Sequence, residues 1–150
     1  MIPTRSLRNE AMALLAADTA TINPVADHLK LKLAQNNFAP SEGLSLAGLT
    51  EATFLGYAEI ALPLGAQLEG FDPTTLDSLI IFNEPAGGFV YTTTGPWITD
   101  QTVYGYYLTN LGGTVLYGSF LFTAPVTFTM AGQILDVGDV TLRLPTNSIS

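Results

Sequence analysis

The side chains that could support catalysis are few, and their spacing does not bring them together. Acid–base and nucleophilic catalysis most often use histidine, and the only histidine in the chain is His28. It alternates with Lys30 and Lys32 on the polar side of a period-two pattern, so we expect a solvated surface residue. No Gly-x-Ser-x-Gly motif is present to position a serine nucleophile.

Paired carboxylates are the other route to hydrolysis, because glycosidases use two acids about 5–9.5 Å apart. Glu51 and Glu59 flank a segment that the pattern predicts as one strand, Thr53 to Leu62. A fully extended backbone would separate them by on the order of 25 Å. Glu84 and Asp100 lie in predicted turns, and nothing in the sequence pairs them with another acid. We therefore expect that the protein is not an enzyme.

The sequence also predicts neither a metal site nor a cofactor. There is no cysteine to bind a metal or form a disulfide. Asp72 precedes Asp77, and Asp136 precedes Asp139, but neither pair has the spacing of a calcium-binding loop, so turn formation is the preferred interpretation. The paired glycines at 87–88 and 112–113 fit hairpin turns rather than a phosphate loop between a strand and a helix.

Aromatic side chains offer two functional interpretations. Tyr91, Trp97 and several tyrosines of the late strands could form a flat platform for sugars. Tyrosine and tryptophan are also enriched in cores and subunit interfaces, and we prefer this second interpretation. The predicted interface set is Tyr104, Tyr106, Tyr107, Tyr117, Phe120 and Trp97.

The elements that carry these residues are predicted to be strands. Residues 5–17 form a short apolar periodic segment with helical spacing, and period-two strands follow from residue 29 onward. Seven or eight short strands at about ten-residue spacing predict an all-β, antiparallel β-sandwich or jelly roll. The predicted organisation is an N-terminal helix or arm over residues 1–25 and one β-sandwich domain over residues 26–150.

Charge and hydropathy indicate an assembling protein. Charged residues make up only 12% of the chain, against about 25% in a typical soluble domain. Between Lys32 and Arg143 there are ten acidic residues and no lysine or arginine, and the net charge is -8. This charge disfavours nucleic-acid and anionic-membrane partners. Because both faces of the late strands are apolar, we expect another layer, the N-terminal segment or another subunit to cover the second face.

Three stretches carry a resemblance to known proteins: residues 15–21 through 29–33, residues 49–58, and the run Val103 to Thr109. They resemble a loose group of small, mostly uncharacterised phage proteins associated with virion structural genes. The resemblance covers most of the chain and implies a capsid-associated, decoration or fibre-type protein without catalytic residues.

These observations together predict a phage structural protein that forms homo-oligomers in or on the virion. Its expected partners are copies of itself and the major capsid or other virion proteins. Its N-terminal segment is expected to make arm contacts through Arg5, Arg8, Leu14 and Leu15. Two alternatives stay open, a carbohydrate-binding or adhesion module and the subunit of an extracellular filament.

Overall fold

The computed structural model describes residues 2–3, 29–62, 67–71, 78–82, 84–97 and 99–144. Within these ranges the chain is all-β with antiparallel pairing, which confirms the predicted fold class. The only helical element there is a 3-10 turn at Leu46–Gly48, where one helical turn was predicted. The predicted helix at 5–17, with its four arm-contact residues, lies outside the described residues. The strands are β1 (Ile2–Pro3), β2 (Leu29–Ala34), β3 (Ile60–Leu62), β4 (Gln67–Phe71), β5 (Ser78–Phe82), β6 (Val90–Thr92), β7 (Gln101–Asn110), β8 (Leu116–Phe128), β9 (Ile134–Asp136) and β10 (Val140–Leu144).

The largest sheet has five strands in the order β1-β8-β7-β2-β3. Its centre is β2 and β7, paired from Leu29 opposite Asn110 to Ala34 opposite Gly105. The alternation that predicted β2 places Leu31 and Leu33 on one buried face. Lys32 lies on the opposite face, because successive side chains of a strand point to opposite sides.

Two smaller sheets complete the fold. One has the order β10-β5-β4, and the other pairs β6 with β9. Side chains from all three sheets meet in one hydrophobic cluster. Phe82 of β5 and Val140 of β10 share it with Tyr91 of β6 and with Leu31 and Leu108 of the large sheet. This shared core holds the sheets together as layers.

The second face of the large sheet is covered by the chain itself. Phe38, in the segment that follows β2, packs with Tyr107 and Leu116 in a second cluster. The side chain of Asn36 holds this segment in place with two hydrogen bonds. Its Nδ2 donates to the Gly48 carbonyl at 2.9 Å, and its Oδ1 accepts from the Thr50 amide at 2.6 Å. The covering layer expected from the two apolar strand faces is therefore formed in part by residues 35–50.

Two register shifts change which late-strand side chains share a face. Strict alternation along the sequence predicts that Val103 and Tyr106 lie on opposite faces and that Leu116 and Phe120 share a face. A shift between Val103 and Gly105 places Val103 and Tyr106 in the same cluster. A second shift, between Leu108 and Thr109, places Leu116 in the cluster on the other face. An irregularity inserts residues into one strand, so the simple alternation fails across it.

Several pairings differ from the predicted hairpins. The sequence predicts a hairpin of residues 79–82 and 88–93, because turn-forming residues 83–87 lie between them. In the structure β5 pairs with β4 and β10, and β6 pairs with β9. The two apolar runs around Ala131-Gly132 predict another hairpin, but residues 126–128 belong to β8 and continue its pairing with β7. Strand β4 falls within residues 63–77, where prolines and glycines in the sequence predict turns. Of the strand predicted from Thr53 to Leu62, only the last three residues form a strand, β3.

Candidate functional site

The carboxylates predicted to be far apart converge on one ammonium group. Lys32 Nζ lies 3.0 Å from Glu51 Oε2 and 3.1 Å from Glu59 Oε2. Lys30 Nζ also forms an ion pair with Glu59. The expectation that Glu51 and Glu59 lie at opposite ends of an extended strand is therefore wrong. We call these four residues, together with Tyr57, the Lys–Glu network.

A turn after Glu51 produces this convergence. Leu55 and Gly56 form the turn, and Gly56 has a φ of 91°, in the left-handed region that favours glycine. A Cβ there would lie 2.4 Å from the Thr92 carbonyl oxygen, so the position also needs glycine for space. The chain then returns beside β2, where Ile60 pairs with Leu31. Glu59 is thereby placed next to Lys32.

Tyr57 connects the Lys–Glu network to the hydrophobic core. Its hydroxyl donates to Glu51 Oε1 at 2.9 Å and accepts from the Leu33 amide at 3.3 Å. Its ring stacks on Tyr91 with centroids 5.7 Å apart, and the Tyr91 hydroxyl donates to the Leu31 carbonyl at 2.8 Å. Burial, reinforced by the charge of Glu51, raises the pKa of both tyrosines, so both are neutral donors at neutral pH.

The ionic states in the network support one another. Burial alone would lower the pKa of Lys32, but hydrogen bonds to Glu51 and Glu59 outweigh it and raise the pKa. Burial alone would raise the pKa of Glu59, but hydrogen bonds from Lys30 and Lys32 outweigh it and lower the pKa. Every carboxylate of the network thus has a partner within the chain. We interpret the network as a structural brace across β2 and β3.

The predicted interface aromatics divide into core and surface. Tyr106, Tyr107 and Tyr117 are buried in the chain's own core, where burial raises the pKa of Tyr106 to about 12. These three side chains therefore pack mainly inside the fold, with less than a tenth of each exposed. Tyr104 is half-buried, and Phe120 remains 38% exposed.

Phe120 belongs to an aromatic cleft beside the edge of β8. In the β7–β8 pairing Val103 faces Val126 and Gly105 faces Leu121, so residues 122–125 of β8 lie opposite the single residue Tyr104. The strand bulges there and exposes Phe120 and Phe122 beside Tyr106. The cleft has a volume of about 570 Å³. Its opposite wall is formed by Leu135, Asp136, Val137, Asp139 and Thr141.

Trp97 lines a smaller pocket. This pocket measures about 270 Å³ and also contacts Phe54, Leu55 and Gln101. The indole Nε1 of Trp97 is buried and has no hydrogen-bond partner. Since indole nitrogen is only a donor, it is an unsatisfied donor enclosed by the protein. Trp97 itself is half-buried against the core, whereas the sequence predicted an exposed contact residue.

Most of the exposed large apolar side chains cluster around β6 and β9. They are Leu55, Val90, Met130 and Ile134, which we call the β6–β9 patch. Ile134 pairs with Thr92, the Leu55 carbonyl accepts from the Thr94 amide at 2.8 Å, and the Met130 carbonyl accepts from the Thr93 hydroxyl at 2.8 Å. The sequence interpretation missed this patch, although Ile134 alternates in phase with Asp136 and so marks an apolar residue on a polar face.

The acidic turns behave as turns in the part of the chain that the structure describes. Asp136 Oδ1 accepts from the Gly138 amide at 2.9 Å, and Asp139 Oδ1 accepts from the Glu84 amide at 2.8 Å. No group of three or more potential metal ligands occurs among the described residues. His28, Asp72 and Asp77 lie outside them. Among the described residues, no helix has the length and apolar composition of a membrane span.

The comparisons with known proteins add no relative. No protein-family model, curated protein or solved structure matches this chain. Function is therefore inferred from the surfaces of the described residues.

Proposed function

We propose that this protein is a structural subunit that associates with copies of itself, in or on a virus particle. The observation that carries the proposal is the β6–β9 patch. Ile134 is 65% exposed, Met130 59% and Leu55 46%, although all three are large apolar side chains. Exposed large apolar side chains grouped in one region of a fold are characteristic of interaction sites.

The charge of the chain favours an apolar contact between subunits. Lys30 and Lys32 are engaged by Glu51 and Glu59 of the same chain. The rest of the body between Lys32 and Arg143 contains no cation, so two copies meeting through polar surfaces would bring like charges together. The β6–β9 patch offers a contact whose favourable term is burial of apolar area rather than charge.

Sedimentation velocity and light scattering on the purified chain test self-association. We expect the wild-type protein to form a defined oligomer at micromolar concentration. Ile134→Lys should weaken association by roughly 10–100-fold, because burial of one isoleucine contributes about 1.5–3 kcal/mol. Leu111→Lys is the matched control, since Leu111 is 50% exposed at the β7–β8 turn, away from the patch. A wild-type monomer at 100 micromolar concentration would contradict the proposal.

The virus-particle part of the proposal rests on the resemblance to small phage structural proteins. It predicts that the chain co-sediments with purified particles and is detected among their proteins by mass spectrometry. Recovery only in the soluble fraction of lysed host cells would contradict this part and leave self-association to stand by itself.

Carbohydrate binding is the second candidate, favoured by the Trp97 pocket. Trp97 and Gln101 both line this pocket, which places an aromatic side chain beside a hydrogen-bonding amide. A glycan array with wild-type protein tests this function, with Gln101→Ala as the variant that spares the core-packed tryptophan. No binding by the wild-type protein would exclude it.

A further inference from the structure

The second face of the large sheet is covered by a compact loop, residues 37–49, which we call the lid. The two ends of the lid meet at a neck of two residue pairs. The Gln35 amide donates to the Thr50 carbonyl at 2.9 Å, and Ala34 forms an antiparallel bridge with Glu51. Compact surface loops whose ends lie close together are frequently functional. The lid has this form, because its backbone joins the sheet at one place.

The neck is anchored on both of its sides. Glu51 Oε2 lies 3.0 Å from Lys32 Nζ, which ties one side to β2. On the other side Asn36 Nδ2 donates to the Gly48 carbonyl at 2.9 Å, and Asn36 Oδ1 accepts from the Thr50 amide at 2.6 Å. Asn36 thus joins the two ends of the lid to each other. A motion of the lid relative to the sheet must therefore pivot at the neck.

The lid itself is attached to the sheet by side-chain packing. In the part of the chain that the structure describes, its backbone hydrogen bonds lie within the lid or at the neck, and none reaches β7 or β8. Phe38 is the only buried side chain of the lid, at 7% exposure, and Leu44, Leu46 and Leu49 are half-buried. Phe38 is therefore the main contact that holds the lid closed.

The surface beneath the lid is apolar, and its strands pair without the lid. Tyr107 and Leu116 are 3% and 5% exposed. Their cluster also contains Phe38, Ala34 and Leu121. Strand β7, which carries Tyr107, pairs with β2 on one side and with β8 on the other. Because regions with few buried contacts open at a lower free energy than the core, the lid can open while the sheet stays paired.

We propose that the lid opens as a unit about its neck, while the sheet stays folded, and uncovers the apolar surface of Tyr107, Leu116 and Leu121. Opening separates Phe38 from these side chains and leaves the hydrogen bonds of the neck in place. The closed lid thus hides an apolar surface that only the open state presents. The inference is independent of the proposed self-association, because β6 and β9 pack on the other face of the large sheet.

Thiol labelling of single-cysteine variants of the full-length protein tests the opening, since the chain contains no cysteine of its own. Ala34→Cys places a thiol under the lid, and Ala52→Cys places one in the main core. Both alanines are buried, at 0% and 2% exposure. We expect Ellman's reagent to label Ala34→Cys at least about 100-fold faster than Ala52→Cys, because local opening requires less free energy than global unfolding. Leu116→Cys is a second reporter under the lid, used if Ala34→Cys does not fold.

The urea dependence of labelling separates local opening from global unfolding. The dependence of an opening free energy on urea scales with the surface that the opening exposes. Labelling under the lid should therefore change little with urea below the unfolding transition, whereas labelling of Ala52→Cys should rise steeply. Equal rates and equal urea dependence at the two positions would overturn the proposal, because both thiols would then react only in the unfolded chain.

Two matched phenylalanine variants identify the contact that keeps the lid closed. Phe38→Leu in the Ala34→Cys background should speed labelling by at least about five-fold, because it removes part of the packing beneath the lid. Phe54→Leu makes the same change in the main core, where Phe54 is 5% exposed. Phe54 packs in the same way whether the lid is open or closed, so this control should leave labelling of Ala34→Cys unchanged. Equal acceleration by the two variants, or none by Phe38→Leu, would show that the thiol is reached by another route and overturn the lid.

Discussion

Replacing Lys32 with methionine should destabilise the protein by removing the centre of the Lys–Glu network. Only 12% of the Lys32 side chain is exposed, and its ammonium contacts both Glu51 and Glu59. Methionine retains most of the apolar stem, so the change mainly removes the charge and its hydrogen bonds. Glu51 and Glu59 would then face each other with Lys30 as the one remaining cation.

The magnitude follows from the exposure of the partners. Breaking a fully buried ion pair costs about 3–5 kcal/mol, whereas a pair on the open surface contributes about 0.2–1 kcal/mol. The side chains of Glu51 and Glu59 are 38% and 34% exposed, so water screens part of the interaction. We expect Lys32→Met to lower the free energy of unfolding by about 2 kcal/mol.

Urea unfolding at pH 7, followed by fluorescence, measures this loss. Trp97 is the only tryptophan and packs on the hydrophobic core, so its emission reports the unfolding of that core. Lys30→Met is the matched control, since it makes the same change on the same strand but removes an ion pair with Glu59 alone. Its expected effect is about 1 kcal/mol.

The pH dependence provides a second readout. The pKa of Glu59 is lowered in the folded state, so its contribution is present above its ordinary pKa of about 4.3 and is lost as pH falls through the folded value. The pKa of Lys32 is raised, so its contribution is present below about pH 10.4 and is lost as pH rises through the folded value. Glu59→Gln should reduce the loss of the free energy of unfolding that occurs as the pH is lowered. The structural brace would be refuted if the free energy of unfolding of Lys32→Met lay within 0.5 kcal/mol of wild type and Glu59→Gln lost stability at acidic pH as the wild type does.

Three further substitutions test the packing that positions the surfaces. Gly105→Ala should lower the free energy of unfolding by about 3 kcal/mol, because a Cβ there would lie 2.0 Å from a backbone oxygen of β8. Gly43 has open space around it, so the control Gly43→Ala should leave the thermal midpoint nearly unchanged. Tyr91→Phe should lower the urea midpoint by the equivalent of about 1 kcal/mol, because it removes the buried hydrogen bond to the Leu31 carbonyl; no change would mean that water replaces it. Asn110→Ala should lower the free energy of unfolding by about 1–2 kcal/mol, because the Asn110 Oδ1 accepts from two backbone amides of the β7–β8 turn. Amide hydrogen exchange should increase first at that turn. A uniform increase along the chain would argue against a local role of Asn110.

Local patterns predicted strands well where alternation was strong. Residues 29–33 alternate leucine with polar side chains and form β2, and the apolar runs after residues 101 and 139 form β7 and β10. Which strands pair with each other was harder to predict from the sequence, because the hydrophobic pattern of a strand does not specify its partner strand. The turn at Ala131-Gly132 looked like a hairpin, yet β8 pairs with β7 over most of its length.

The turn that forms the Lys–Glu network was indicated by one residue of the sequence, but a strand-like pattern around it favoured the wrong prediction. Thr53 to Leu62 contains enough apolar and aromatic residues to resemble a strand, and this pattern placed Glu51 and Glu59 far apart. Gly56 was the contrary signal, since an isolated glycine in a strand pattern often marks a close approach of backbone. The approach involves the Thr92 carbonyl of β6. That contact joins residues far apart in sequence, so no local window contains it.

The strand order also determines when this chain can fold during synthesis. Strand β5 requires β10, with Phe82 opposite Val140, and β6 requires β9, with Thr92 opposite Ile134. Two of the three sheets among the described residues therefore stay incomplete until β9 and β10 have been synthesised. Folding dominated by such distant pairings is slow, on the millisecond to second scale. During synthesis β5 can therefore pair only with β4 at first, and β6 remains without its partner strand until β9 follows it.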